Sequence, residues 1–102
     1  MERLEYQFGA GQPARGRTVS GVVSSGDLEV LLEPAPAGRT TVAVQTSVDG
    51  YGGTWKALLE RVFGAGDLPA ARIEINDNGA TPGVVRMRIE QAYEQANDGG
   101  RP

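Results

Sequence analysis

The feature that most constrains the fold of this chain is the order in which two hydrophobic periods follow one another. In the first half, apolar side chains occupy every second position, as in Leu4, Tyr6 and Phe8, which is typical of strands with one buried face. The same alternation returns later, at Ile73 and Ile75. The sequence therefore predicts three or four strands in the first half and one more strand late in the chain.

Two later segments have the period of a helix. The first is predicted from four apolar residues that share one helical face: Trp55, Leu58, Leu59 and Val62. Thr54 is its predicted N-cap, and Gly64 is a typical stop signal behind it. The second helix opens at Thr81-Pro82, a capping residue followed by the proline that suits a first helical position. Its predicted apolar face consists of Val85, Ile89, Ala92 and Ala96.

This order of elements indicates an α+β fold. We expect a two-layer sandwich in which both helices pack on one face of a small, mostly antiparallel sheet. The crossover from the strand that ends near Val48 to the strand that contains Ile73 predicts a parallel pair, if those strands are neighbours. With 102 residues, the chain has the length of one domain. We expect that domain to span residues 1–96, followed by a flexible C-terminal tail at residues 97–102.

The residue types that most often carry catalysis are missing from this sequence. It contains no histidine and no cysteine, which excludes a Ser-His-Asp triad, a thiolate nucleophile and a disulfide framework. Asp49, Asp67, Asp77 and Asp98 are spread over separate predicted loops without the spacing of a calcium loop. We therefore predict no catalytic residue and no metal site.

Charge and the N-terminal segment narrow the choice of partners. The formal net charge is −3 and the arginines are scattered, so no nucleic-acid partner is predicted. The opening segment "MERLEYQF" has Glu2 and Glu5 where a secretory signal would be basic and then apolar. No apolar run reaches the roughly 20 residues that a membrane-spanning helix needs. We expect a soluble, cytoplasmic protein with no membrane partner.

A serine between two apolar runs is the first candidate site. In "GVVSSGDLEVLLEP", Gly26-Asp27 has the form of a two-residue type II′ turn, because glycine adopts the positive φ of the first turn position at no steric cost. Such a turn places Ser25 at the tip of a hairpin, beside a residue without a side chain. The alternative interpretation is a hydroxyl that flanks a turn and does nothing else.

The polar loop in "INDNGATP" is the second candidate. It connects the end of a strand to a capped helix, and its candidate contacts for a partner are Asn76, Asp77, Gly79 and Thr81. The alternative is structural, because asparagine, aspartate and glycine are ordinary turn formers and Thr81 starts a helix. If the loop is a docking surface, replacing Asn76 and Asp77 by alanine should leave the thermal midpoint within a few degrees and impair modification or assembly.

Taken together, "GVVSSGDLEVLLEP", "GYGGTW" and "RIEINDNGATPGVV" resemble the acyl carrier (delta) subunit family of biotin-independent malonate decarboxylase. The chain is more distantly similar to the carrier subunit of citrate lyase. The resemblance implies a serine that carries phosphoribosyl-dephospho-coenzyme A through a phosphodiester, with acetyl and malonyl groups held as thioesters on the terminal thiol. That serine falls on Ser25, and Gly26 and Asp27 fit the motif around it. Ser24 is the local alternative.

The resemblance also implies partners: an acyl transferase subunit, a decarboxylase subunit pair and the transferase that attaches the prosthetic group. The implied function is that of a non-catalytic carrier subunit. A structural or regulatory adaptor without the arm is a second interpretation, and the mass of the purified protein separates the two. A small enzyme that uses carboxylates such as Glu74 and Asp77 is a third, which activity of the isolated chain would reveal.

Overall fold

The computed structural model describes residues 1–20 and 28–97. These residues form one sheet and two helices. In chain order the elements are β1 (Glu2–Gly9), β2 (Thr18–Ser20), β3 (Leu28–Pro34), β4 (Arg39–Thr46), α1 (Gly52–Phe63), β5 (Ala71–Asp77) and α2 (Pro82–Asn97).

The described strands form a single sheet in the order β1-β4-β5-β3-β2. Three of its neighbouring pairs are antiparallel, and β4 and β5 are parallel. The parallel pair places Val42 opposite Ile73, and α1 forms the crossover between the two strands. The predicted parallel pair is therefore confirmed. β4 ends at Thr46, two residues before the predicted end, and the Thr46 hydroxyl accepts a hydrogen bond from the backbone N–H of Val48 at 3.0 Å.

Both helices cover the same face of the sheet, so the predicted two-layer α+β class is confirmed. α1 packs against β1, while α2 packs against β2 and β3. The sheet contributes alternate residues of its three inner strands to the core, namely Val30, Leu32, Val42, Val44, Ile73 and Ile75. Polar side chains such as Glu74 and Gln45 occupy the opposite face and are exposed. The alternation seen in the sequence thus marks the buried face correctly.

The predicted start of α1 is wrong, because Tyr51 occupies the N-cap position and Thr54 lies within the first turns. Tyr51 makes no side-chain capping bond, and its carbonyl accepts the N–H of Trp55 at 2.9 Å. The start is set by contacts distant in sequence, since the hydroxyl of Tyr6 donates a hydrogen bond to the carbonyl of Gly52 at 3.1 Å. The buried residues of the helix are Trp55, Leu59 and Phe63, and Gly64 follows as the C-cap.

The predicted start of α2 is confirmed. The helix begins at Pro82, and the hydroxyl of Thr81 accepts a hydrogen bond from the backbone N–H of Val84 at 3.3 Å. The four residues predicted to share its apolar face are all buried, together with Tyr93, whose ring lies 6.1 Å from that of Phe63.

The predicted hairpin tip, with Ser24, Ser25, Gly26 and Asp27, lies outside the described residues. The strands on either side nevertheless test the register that a two-residue turn requires. With Ser25 opposite Leu28, a regular hairpin would pair Ser20 with Glu33. Ser20 instead pairs with Val30. The observed pairing of β2 with β3 thus differs by three residues from that of a regular two-residue hairpin.

An odd shift of register exchanges the two faces of a strand. The register of a regular two-residue hairpin would turn Val19 towards the core, whereas in the structure Thr18 is buried opposite Leu32 and Val19 is 54% exposed. The physical reason is a contact with α2, because the hydroxyl of Thr18 forms a hydrogen bond with the side-chain oxygen of Gln95. This bond satisfies the buried hydroxyl and fixes the inward face of β2.

Candidate functional site at one end of the sheet

The start of β3 and the polar loop that follows β5 lie at the same end of the sheet. Asp77, the last residue of β5, lies opposite Leu28, the first residue of β3. On its other side Asp77 lies opposite Thr46, the last residue of β4. The chain therefore enters β3, directly after the serine segment, next to the point where β5 passes into the polar loop.

Asp77 is buried at this end and holds the loop. Its Oδ2 accepts a hydrogen bond from the hydroxyl of Thr46 at 2.8 Å, and its Oδ1 accepts one from the backbone N–H of Ala80 at 2.9 Å. Its backbone carbonyl also accepts the N–H of Ser47 at 3.0 Å. The side chain of Asp77 thus joins the end of β4 to the start of α2, which favours a structural role for this residue.

The other three candidate contacts are distributed around the same end. Asn76 is exposed on the open face of the sheet, where its amide donates a hydrogen bond to Oε1 of Glu29 at 3.1 Å. Gly79 has a φ of 97°, which favours glycine because a side chain is strained there. Thr81 is exposed and caps α2. The four candidates therefore share one sheet end without forming one continuous surface.

A cavity of about 260 Å³ lies between the starts of α1 and α2 at this end. Its lining is mostly apolar and consists of Val48, Tyr51, Thr54, Trp55, Leu58, Asp77, Gly79, Ala80, Pro82 and Val85. Tyr51 is 53% exposed, whereas Trp55 is 7% exposed. Sequence analysis did not identify the cavity and assigned no role to Tyr51, although an aromatic residue between glycines in "DGYGGT" was the available signal.

Two tyrosines among the described residues have raised pKa values. Burial raises the pKa of Tyr93 to about 12, and its hydroxyl donates a hydrogen bond to the carbonyl of Pro69 at 3.2 Å. Burial, together with the carboxylate of Glu2, raises the pKa of Tyr6. Both phenols therefore stay protonated at neutral pH. Residues 1–20 and 28–97 contain no group of three or more acidic side chains placed to hold a metal ion, and no helix among them is long and apolar enough to cross a membrane.

Comparison with known proteins gives consistent matches over nearly the whole chain. The family model described as malonate decarboxylase delta subunit (MdcD) matches residues 15–96. The malonate decarboxylase acyl carrier protein of Pseudomonas paraeruginosa is 59% identical over 96 residues, which cover 94% of this chain and 97% of that protein. That of Azotobacter vinelandii is 55% identical over 98 residues, which cover 96% and 99%.

A solved structure agrees with these matches. One chain in the crystal structure of a Pseudomonas malonate decarboxylase hetero-tetramer in complex with malonate superimposes with a TM-score of 0.88 at 54% identity, covering 94% of this chain and 99% of that chain. Fold and sequence together thus define the class as acyl carrier proteins. Within that class, the chain belongs to the malonate decarboxylase delta subunit family.

Proposed function

We propose that this chain is a cytoplasmic, non-catalytic acyl carrier subunit of a malonate decarboxylase, and that Ser25 carries phosphoribosyl-dephospho-coenzyme A through a phosphodiester. When bound, the arm supplies the thiol on which acetyl and malonyl groups are carried. The observation that carries the proposal is the 59% identity to a malonate decarboxylase acyl carrier protein over 94% of the chain. The motif "SGDLEV", which begins at Ser25, supports the attachment site.

The first turns of the two helices at this end of the sheet fit a phosphate-bearing arm. Neither α1 nor α2 has an acidic residue in its first turn, so no carboxylate of those turns repels a phosphate. The carboxylate of Asp77 faces inward, towards Thr46 and Ala80. β3 begins at Leu28 in the middle of a hydrogen-bonded sheet, which provides a rigid support for the segment that contains Ser25.

The role of this chain's own residues is to hold and present the arm. The sequence has no cysteine and no histidine, so the transferring thiol and any imidazole base must come from the arm and from other chains. We propose as partners an acyl transferase subunit, a decarboxylase subunit pair and the transferase that attaches the arm. The similarity to a chain of a malonate decarboxylase hetero-tetramer supports an assembly with other subunits.

Intact mass spectrometry tests the attachment. The protein is coexpressed with its prosthetic-group transferase, alongside Ser25→Ala and Ser24→Ala as a matched pair of neighbouring serines. We expect the added mass of the arm on the wild type and on Ser24→Ala, and its loss from Ser25→Ala. Loss of the mass from Ser24→Ala alone would assign the attachment to Ser24. A wild-type protein that assembles with the other subunits but never gains the mass would favour the adaptor interpretation.

A further inference from the structure

We propose that the cavity between the starts of α1 and α2 binds the adenine base of the prosthetic arm. The inference rests on the proposed function, because it takes the arm to be attached to Ser25. It adds a second, non-covalent point of attachment. The base would be held close to the sheet while the distal part of the arm, with its thiol, stays free to reach partner subunits.

The position of the cavity favours the part of the arm nearest to the serine. Asp77 lines the cavity and lies directly opposite Leu28. Neighbouring strands are roughly 5 Å apart. Leu28, which follows Ser25 by three residues in the sequence, therefore lies on the strand next to the cavity-lining residue Asp77. In phosphoribosyl-dephospho-coenzyme A the base is separated from the serine only by a phosphate and two riboses.

The chemistry of the lining favours a flat ring. Tyr51 is half exposed, and Trp55, Leu58 and Val85 contribute apolar walls. Every nucleobase has a π face that stacks on aromatic side chains. The volume of about 260 Å³ is below the range of roughly 300–1,000 Å³ typical of pockets for drug-sized ligands, so it suits one ring system and not the whole arm.

The pantetheine part of the arm fits this lining less well. Its two amides need hydrogen-bond partners wherever they are buried. The polar groups of the lining side chains are the phenol of Tyr51, the indole N–H of Trp55, the hydroxyl of Thr54 and the carboxylate of Asp77. That carboxylate already accepts two hydrogen bonds. A purine can bury its apolar faces and leave its polar edge at the open mouth, near Thr54.

A shallow site is sufficient because the ligand is tethered. A short flexible link gives an effective concentration in the millimolar range. A base with a dissociation constant near 1 mM is therefore bound for a substantial fraction of the time when it is attached to the same chain. Free nucleotides bind the same cavity only at millimolar concentration.

Trp55 makes the site directly measurable, because it lines the cavity and is the only tryptophan in the sequence. Dephospho-coenzyme A is titrated into the unmodified full-length protein while tryptophan fluorescence and backbone amide shifts are recorded. We expect saturable changes centred on Tyr51, Trp55 and Ala80, the same changes with adenosine monophosphate, and none of them with pantetheine.

Substitutions separate stacking on Tyr51 from nonspecific effects. We expect Tyr51→Ala to weaken binding roughly tenfold, as loss of a base–aromatic stack does, and Tyr51→Phe to leave it unchanged. Tyr51 makes no side-chain capping bond, so both variants should retain the fold, which circular dichroism checks. Met87→Ala is the matched control, since Met87 is exposed on α2 and is not part of the cavity lining. Equal binding by Tyr51→Ala and the wild type would overturn the proposal.

The modified protein distinguishes this inference from the proposed function. We expect attachment of the arm, confirmed by mass, to shift the same amides as free dephospho-coenzyme A. If the mass is added but these amides do not move, the inference is wrong and the proposed function stands. If the mass is never added, both fail. Changes that occur only when partner subunits are added would make the cavity a protein contact and would also overturn the inference.

Discussion

Asp77 provides the sharpest test of how the candidate site is held together. The residue is 6% exposed, and its side chain accepts hydrogen bonds from the hydroxyl of Thr46 and the backbone N–H of Ala80, at 2.8 and 2.9 Å. Replacing Asp77 by alanine removes both acceptors while the two donors remain. We therefore expect the end of β4 and the loop before α2 to lose stability together.

The magnitude follows from the fate of the two donors. A hydrogen bond to a charged group contributes about 1.5–3 kcal/mol, which gives about 3–6 kcal/mol for both. Two features of the structure reduce this loss of stability. The hydroxyl of Thr46 lies 3.5 Å from the carbonyl of Val48 and can donate to it, and the bond of Ala80 is only partly buried, so water can replace Asp77 there. We expect Asp77→Ala to lower the free energy of unfolding by about 2–3 kcal/mol, and Asp77→Asn by about 1 kcal/mol.

Urea unfolding at pH 7 measures these differences, and thermal unfolding should show a decrease of roughly 10 °C or more for Asp77→Ala. Asn76→Ala is the matched control, because Asn76 is the exposed neighbour and loses only a surface hydrogen bond to Glu29. We expect it to remain within about 0.5 kcal/mol of the wild type. If Asp77→Ala is as stable as Asn76→Ala, the buried hydrogen bonds do not hold the loop and the reasoning is refuted.

Two further predictions concern stability. Gly79→Ala should lower the free energy of unfolding in urea by about 1–2 kcal/mol, because φ is 97° at this position. Gly83→Ala is the control, since there is open space around its added Cβ, and it should not destabilise α2. Equal effects of the two substitutions would contradict this explanation. Tyr93→Phe should cost about 1 kcal/mol at neutral pH through loss of the bond to Pro69. The pKa of Tyr93 is raised from 10.0 to about 12, so its contribution to stability is present below pH 10 and is lost as the pH rises towards 12. The difference in stability between wild type and Tyr93→Phe should therefore shrink over that range. A difference that does not change with pH would refute this prediction.

The elements of the fold could be predicted because local patterns determine them. Alternation at Ile73 and Ile75 marks a buried face, and Thr81-Pro82 marks a helix start, without reference to the rest of the chain. The register of β2 depends on a distant contact instead. Nothing near Thr18 in the sequence indicates that Gln95, on α2, provides a partner for its hydroxyl. Residue types alone favour burying Val19, which the structure exposes.

The alternating pattern of the sequence was sufficient to predict that Asp77 faces the core. Ile73 and Ile75 face the core, so a period of two places residue 77 inward if the strand continues by one more residue. The alternating segment "ARIEIN" ends at Asn76, one residue before the end of β5. The expectation that alanine at Asn76 and Asp77 leaves the thermal midpoint within a few degrees followed from this early end. The burial of Asp77 changes that expectation, since the two neighbouring side chains lie on opposite faces of β5.

The location of the cavity follows from the topology, whereas its lining does not. β4 and β5 are parallel neighbours, and each is followed by a helix on the same face of the sheet. The two strand-to-helix connections must therefore lie side by side at the carboxyl ends of these strands, which is where sheets with parallel strands commonly bind ligands. β3 is antiparallel to β5, so its first residue, Leu28, reaches the same end. A parallel crossover, read from the sequence, thus brings the start of β3 and the polar loop to the same end of the sheet. The position of Tyr51 at the cavity depends on the close approach of Gly52 to Tyr6, which no local pattern predicts.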